Sequence, residues 1–227
     1  ESEFMLAGNA MWELSVQQVT SCVKKCLGCG GGDTPAGYEY LMGLPKGQGL
    51  GSQTFAPYIQ SMTDTCLGKR CTESCDDIDL STLETKSSLT GYYASVEDYT
   101  YATPACTGAC ASQNMTLLAQ NIEEHGPASI CVNANNWASY TGGVMTVDQC
   151  RGFAYGDLDH CVQLTGYNAD ADTPYWMVRN SWPTDWANDG YIYLEFSNNA
   201  NPCGIANEAT FVTLGDNKGD GKDGRGK

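Results

Sequence analysis

Two short apolar runs, 161–167 and 175–180, are separated by the turn-rich stretch Asn168 to Pro174. Runs of that length around an Asn/Asp/Pro turn predict an antiparallel hairpin with its turn centre near Asp170. The chain around it then has little freedom. Asp159-His160 enters the first run and Arg179-Asn180-Ser181-Trp182 leaves the second. His160 and Asn180 are nearly equidistant from the turn, so they are expected opposite each other. A histidine oriented by a side-chain amide is the base half of a Cys-His-Asn hydrolase. No cysteine of the chain announces itself as the nucleophile.

The bulk numbers narrow the alternatives. With 227 residues, 41% of them hydrophobic, the chain can bury a sizeable core. No apolar stretch is long enough to span a bilayer as a helix, and no membrane partner is expected. A formal net charge of −15 argues against nucleic acid and anionic membranes as partners. Twelve cysteines against two histidines do not have metal-ligand spacing, so a disulfide-bonded protein of the secretory route is expected, with no metal and no cofactor. Asn114-Met115-Thr116 is a glycosylation sequon. The start, Glu1-Ser2-Glu3-Phe4, lies inside a helix-like pattern without a cap, which reads as a cut.

Along the chain helices come first and strands later, an α+β layout. Residues 1–13 read as the remainder of a helix with Phe4, Met5, Gly8, Met11 and Trp12 as buried candidates. Ser15-Val16-Gln17-Gln18 has capping-box form and opens a helix through Cys22. Thr34-Pro35 sets the N-cap and first helical position of another that Gly43 ends. Residues 115–124 form a short helix closed by Gly126-Pro127, with Leu118, Ala119 and Ile122 on one face. Strands are expected at 129–132, 161–167, 175–180, 190–196 and 209–214, with extended chain at 89–96. Residues 215–227 carry glycine and charge and no apolar side chain, so a disordered tail is expected.

Several motifs in order resemble the papain-like cysteine proteases. Leu14-Ser15-Val16-Gln17-Gln18-Val19-Thr20-Ser21-Cys22 is similar to that family's LSEQxLxxC, and Gly28-Cys29-Gly30-Gly31-Gly32 to its GCxGG loop. Gly126-Pro127-Ala128-Ser129-Ile130 resembles GPVSV, and Thr141-Gly142-Gly143-Val144 contains the SGV-like turn. Asp159-His160 resembles the catalytic DH. Residues 179–191 resemble KNSWGxxWGExGY, and Cys203-Gly204-Ile205-Ala206 the CGIA near the family's C-terminus. The resemblance runs from Glu1 to about Leu214. It implies a papain-like fold of two lobes: a helical left lobe over 1–87 and an antiparallel, β-barrel-like right lobe over 88–214, the last segment partly returning to the left lobe. It also implies cysteine-dependent peptide hydrolysis with His160 as base and Asn180 as its orienting amide. Trp182 would cover the His–Asn bond, with Trp186 and Asp159 in support. Asp159 beside His160 is either a bias on the imidazolium or a solvated neighbour.

The family carries its nucleophile in CGSCWAFS near the start of its first long helix. By that alignment the cysteine would lie roughly ten residues before Glu1, and the oxyanion-hole Gln further upstream. Cys22 lies 138 residues before His160, within the usual separation of about 130–150, but its surroundings match a structural disulfide position. Cys26 and Cys29 form a CxxC that could be a redox pair or half a zinc site; disulfide use is favoured. The resemblance implies bridges Cys22–Cys66 and Cys150–Cys203. The connectivity of Cys26, Cys71, Cys75, Cys106 and Cys110 stays open. On this reading the 227 residues are an inactive fragment of a peptidase. The competing reading is a papain-like pseudoenzyme or peptide-binding module.

The resemblance further implies a substrate-binding set. Gly31 and Gly32 would let a peptide approach the backbone, and Asp33, Thr34, Cys131, Leu158, Cys161 and Glu208 would line the specificity pocket. Glu208, at the pocket floor, would admit Arg alongside Leu or Phe. Cys131 and Cys161 are expected as small apolar wall residues close enough to permit a bridge. The implied partners are peptide or protein substrates and a propeptide or cystatin-like inhibitor. The implied state is a monomer and the implied location secreted or lysosomal/vacuolar. His125, at a helix C-terminus, suits the dipole there and is expected to be non-catalytic.

Overall fold

The computed structural model of the chain describes residues 1–58, 93–111, 113–150 and 152–215. The chain divides into two compact units, Glu1–Tyr99 with the segment from Val212 onward, and Thr100–Phe211. The sequence places this division at 87. Cys66, Cys71, Cys75 and the expected disordered tail from 216 onward lie outside the described residues.

In the first unit, α1 spans Ser2–Leu6 only. The expected helix through residue 13 stops early because Gly8 takes φ 87°, and Asn9 donates from both its backbone N and its Nδ2 to the Phe4 carbonyl. Phe4 is buried at 1% exposure, whereas Met5 is 45% and Met11 71% exposed, so neither is a core residue. α2, Val16–Cys22, is capped by Ser15, whose Oγ accepts the Gln18 N–H. The second half of the expected capping box is not made. The Gln18 side chain instead donates to the Gly49 carbonyl and accepts the Gly51 N–H, both at 2.9 Å. It thereby ties α2 to the short strand β1 (Leu50–Gly51), which pairs antiparallel with β2 (Tyr93–Ala94). α3, Thr34–Met42, already includes Thr34, so Asp33 and not Thr34 is the N-cap, with Pro35 in the first turn and Gly43 as C-cap. Phe4, Leu14 and Ala94 form the apolar cluster here, with Trp12, Leu50 and Leu214 packed against it.

β3, Val96–Tyr101, leads into the second unit. There α4, Met115–His125, begins under the Asn114 cap and ends where Gly126 turns to φ 92°. The following strands are β4 (Ala128–Val132), β5 (Val144–Met145), β6 (His160–Asn168), β7 (Tyr175–Arg179), β8 (Tyr191–Glu195) and β9 (Thr210–Leu214). Their order in the sheet is β9-β4-β6-β7-β8-β5. All these neighbours are antiparallel except β5 beside β8. The alternation of strand residues puts Ile130, Leu164, Trp176, Val178, Ile192 and Leu194 on one face, each at 0% exposure. α4 packs its Leu118 and Ile122 into the same core. Each such aliphatic or aromatic burial contributes about 1.5–3 kcal/mol.

The β6–β7 hairpin forms with a register the sequence does not reveal. Asn168 faces Tyr175, but a bulge between Leu164 and Gly166 shifts the pairing, so Leu164 faces Val178 and Gln163 faces Arg179. Continued by one residue, this register sets Asn180 across from Val162, not from His160. The two site residues are diagonal neighbours on one face rather than opposed.

Candidate active site

His160 is the first residue of β6, and Asn180 is the first residue after β7. The diagonal offset still lets them meet, because residues two apart on a strand share a face. His160 Nε2 lies 2.8 Å from Asn180 Oδ1. The backbone of Asn180 is fixed by its N–H donating to the Gly190 carbonyl at 3.0 Å. Gly190 itself adopts φ 85°, a left-handed conformation that suits glycine.

The orientation of the Asn180 amide follows from a second contact. The Ser181 backbone N–H also donates to Asn180 Oδ1, at 2.8 Å. A peptide N–H can only donate, so the atom facing it is the amide oxygen. That oxygen can only accept, so the His160 Nε2 carries the proton of the bond. Nδ1 is then the ring nitrogen left to take a proton. Asn180 is 7% exposed, and its Nδ2 is buried with no hydrogen-bond partner among the described residues.

Aromatic rings enclose the imidazole within the second unit. The Trp182 ring centroid is 6.0 Å from that of His160 at an interplanar angle of 32°. Trp137, fully buried, meets the ring edge-on at the same separation and 87°. Trp186 packs against Trp182 at 4.8 Å and also stacks near Trp137. Such walls lower the local dielectric and strengthen the His–Asn hydrogen bond. Trp137 was not among the residues the sequence singled out. It sits in a 3-10 turn, Trp137–Ser139, a few residues past β4, and carries no motif of its own.

The Asp159 carboxylate is hydrogen-bonded to the backbone. Its Oδ1 accepts the Ala134 N–H at 2.8 Å and its own N–H donates to Val132 at 2.9 Å. It thus pins the end of β4 to the start of β6.

The remaining expected site residues divide between the two units. In the first, Gly31 (φ 101°) has open space where a Cβ would stand, whereas a Cβ on Gly32 would meet Cys26 Sγ at 2.5 Å. The two glycines therefore answer different needs, a backbone angle at one and a close approach at the other. Asp33 is exposed and Thr34 starts α3. In the second unit Leu158 is half-buried and Glu208 is buried at 6% exposure. Cys131 and Cys161 are not separate thiols: they face each other across β4 and β6 with Cα atoms 4.0 Å apart and form a disulfide. The sequence favours small apolar wall residues and merely permits a bridge; the bridge is what forms.

Cys150–Cys203 and Cys106–Cys110 are also bonded. Cys22 is disulfide-bonded, and its implied partner Cys66 lies outside the described residues. Cys26 and Cys29 are not joined to each other. Cys29 lies within the 3-10 turn Gly28–Gly30 and is exposed.

The papain family cysteine protease domain matches residues 1–213. The chain belongs to the papain family of cysteine proteases. Within it, the chain is 28% identical to cysteine proteinase 1 of Dictyostelium discoideum over 91% of its length, and 28% identical to human cathepsin O over 93%. It spans 54% and 56% of those two proteins, about half of each. Among solved structures it is similar to the bromelain protease of Ananas comosus in complex with the E64 inhibitor, with a TM-score of 0.62 and 26% identity, covering 91% of this chain and 80% of that one. It is also similar to the digestive procathepsin L2 proteinase of the Tenebrio molitor larval midgut, with a TM-score of 0.69 and 25% identity, covering 94% and 57%. The α+β fold is that of the papain family.

Proposed function

We propose that this chain supplies the base and its orienting amide for cysteine-dependent hydrolysis of peptide bonds. The observation that carries this is the His160–Asn180 bond, which commits Nε2 and leaves Nδ1 to accept a thiol proton. An imidazolium beside a thiolate stabilises it. The thiolate attacks the scissile carbonyl carbon, the C–N bond breaks, and the imidazolium gives its proton to the leaving amine. The imidazole then takes a proton from water, whose oxygen displaces the sulfur of the acyl-enzyme and regenerates the thiol.

The nucleophile in this proposal is a cysteine outside these 227 residues. The state of the cysteines favours it: Cys22, Cys106, Cys110, Cys131, Cys150, Cys161 and Cys203 are all in disulfides and offer no thiol. The 227 residues by themselves are then inactive. Peptide substrates, restraint by a propeptide or cystatin-like inhibitor, action as a monomer, and a secreted or lysosomal/vacuolar location belong to the same proposal. Disulfides among the described residues favour an oxidising compartment for folding.

The test is limited alkylation of the native-length protein with iodoacetamide, the modified cysteine being located by peptide mapping. One fast-reacting cysteine outside the 227 residues is expected, its reactivity lost in His160→Ala and matched by hydrolysis of a peptide reporter. Fast modification at Cys29 would relocate the nucleophile. No fast-reacting cysteine and no hydrolysis would make the protein a peptide-binding module, and hydrolysis by the 227 residues alone would refute the outside nucleophile.

A further inference from the structure

β6 begins at His160, so the imidazole stands on a strand end, the part of a ladder that opens first. On the β7 side, pairing with β6 begins only at Gln163, opposite Arg179. Residues 160–162 therefore lack a β7 rung among the described residues. Their hydrogen bond on that side is the His160–Asn180 side-chain bond, with Trp182 packed against the ring. The backbone that carries the imidazole must be held from β4.

On the β4 side the last two rungs are Cys131↔Cys161 and Val132↔His160. The Cys131–Cys161 disulfide joins the strands one rung from the end. Side chains alternate between faces, so the sulfurs project away from the face that carries the imidazole. Any influence on His160 passes through the backbone. Just beyond, Asp159 bonds to Val132 and Ala134, closing the end of the ladder with hydrogen bonds alone.

We infer that the Cys131–Cys161 disulfide is a positioning element for His160, holding the end of β6 so that Nε2 stays on Asn180. It rests on the reading of His160 as the base, but it concerns the hydrogen bond and not the turnover. A disulfide that merely stabilises the fold would raise the stability of the whole unit and leave the local opening of residues 160–162 unchanged.

The test is exchange of the His160 Nε2 proton with water, followed by NMR in the folded chain. His125, the other of the two histidines, is exposed, so its ring protons exchange fast and the persistent signal belongs to His160. In the double variant Cys131→Ala/Cys161→Ala, exchange should accelerate by about tenfold or more, while the Ile130 and Leu164 amides keep their protection. Cys106→Ala/Cys110→Ala should leave the signal unchanged. Unaltered His160 exchange would overturn the inference. So would an equal loss of protection at Ile130 and Leu164, which is the signature of a lowered global stability. Should the alanine pair fail to fold, Cys131→Val with Cys161→Ala keeps more volume in β4 and carries the same readout. No nucleophile is needed, so a failure of the peptidase proposal shows in reporter hydrolysis and leaves this measurement intact.

Discussion

Oδ1 of Asn180 accepts two hydrogen bonds, from Nε2 of His160 and from the backbone N–H of Ser181, each at 2.8 Å. The second bond fixes the amide, and the amide then fixes the tautomer of the ring. Asn180→Ala removes both. It leaves the Ser181 N–H without its acceptor, at a cost of about 1–3 kcal/mol. It also frees the imidazole to turn. In an active native-length preparation kcat should fall by about 10²-fold, as for a misplaced catalytic group, with KM nearly unchanged. Steady-state kinetics on a peptide reporter check this, and an unchanged kcat would remove Asn180 from the mechanism.

Ala187 adopts φ 53°, a left-handed conformation, where the family pattern has glycine after the second Trp. A Cβ there costs about 1–2 kcal/mol. Ala187→Gly relieves that cost but adds freedom to the unfolded chain, so a net gain of about 1 kcal/mol or less is expected. A denaturant titration measures it through a raised midpoint at constant slope.

The Tyr140 hydroxyl accepts from Asn188 Nδ2 at 2.8 Å and from the Tyr193 N–H at 3.2 Å, and donates to the Gly143 carbonyl. Burial raises its pKa above the ordinary phenol value, against a smaller lowering by the two donors. The folded state therefore holds this proton more tightly than the unfolded state. The resulting stability is full below the unfolded pKa of about 10 and is lost as pH rises through the folded value. Tyr140→Phe should flatten the alkaline fall in the melting temperature while lowering stability by about 1–3 kcal/mol at neutral pH. An identical alkaline slope in both proteins would contradict this.

Asn114 caps α4, its Oδ1 accepting the Leu117 N–H at 2.9 Å, and the residue is exposed. Its Nδ2 is the atom a glycan would occupy. Expression through a secretory route should add a glycan-sized mass that Thr116→Ala abolishes while keeping the cap. Asn114→Ala should remove the mass and also cost about 1 kcal/mol. Intact-mass measurement and thermal melts separate the two effects.

Glu208 is buried at 6% exposure, and we propose that it receives a basic side chain two residues before the scissile bond. A charge-assisted hydrogen bond of about 1.5–3 kcal/mol is at stake. Glu208→Ala should then lower kcat/KM for an Arg-Arg reporter by about tenfold or more relative to Phe-Arg. Equal losses on both reporters would make Glu208 a structural residue.

Local signals were legible wherever one residue type served one purpose. Ser15 announced α2, Gly43 and Gly126 ended α3 and α4, and the alternating apolar runs marked β6, β7 and β8. The early stop of α1 was also written locally, in Gly8-Asn9, but the apolar pattern through Met11 and Trp12 hid it. The far end of Gln18 was not legible: its spacing from Ser15 suggested a reciprocal cap, and it bonds instead to Gly49 and Gly51, which only the fold brings near.

The sequence by itself marked the strands β4, β6, β7, β8 and β9, the Ser15 cap and the glycine ends of α3 and α4, and it singled out His160 and Asn180, because each signal depends on residues close in the chain. The tertiary structure decided how that pair meets. Asn168 facing Tyr175 puts the turn centre between 171 and 172 and not at Asp170, and the bulge between Leu164 and Gly166 takes back one residue of that shift, so symmetry about Asp170 gave opposed partners where the sheet makes diagonal ones. It likewise decided that Cys131 and Cys161 are one covalent unit, because the register of β4 on β6 sets two cysteines face to face across thirty positions of chain.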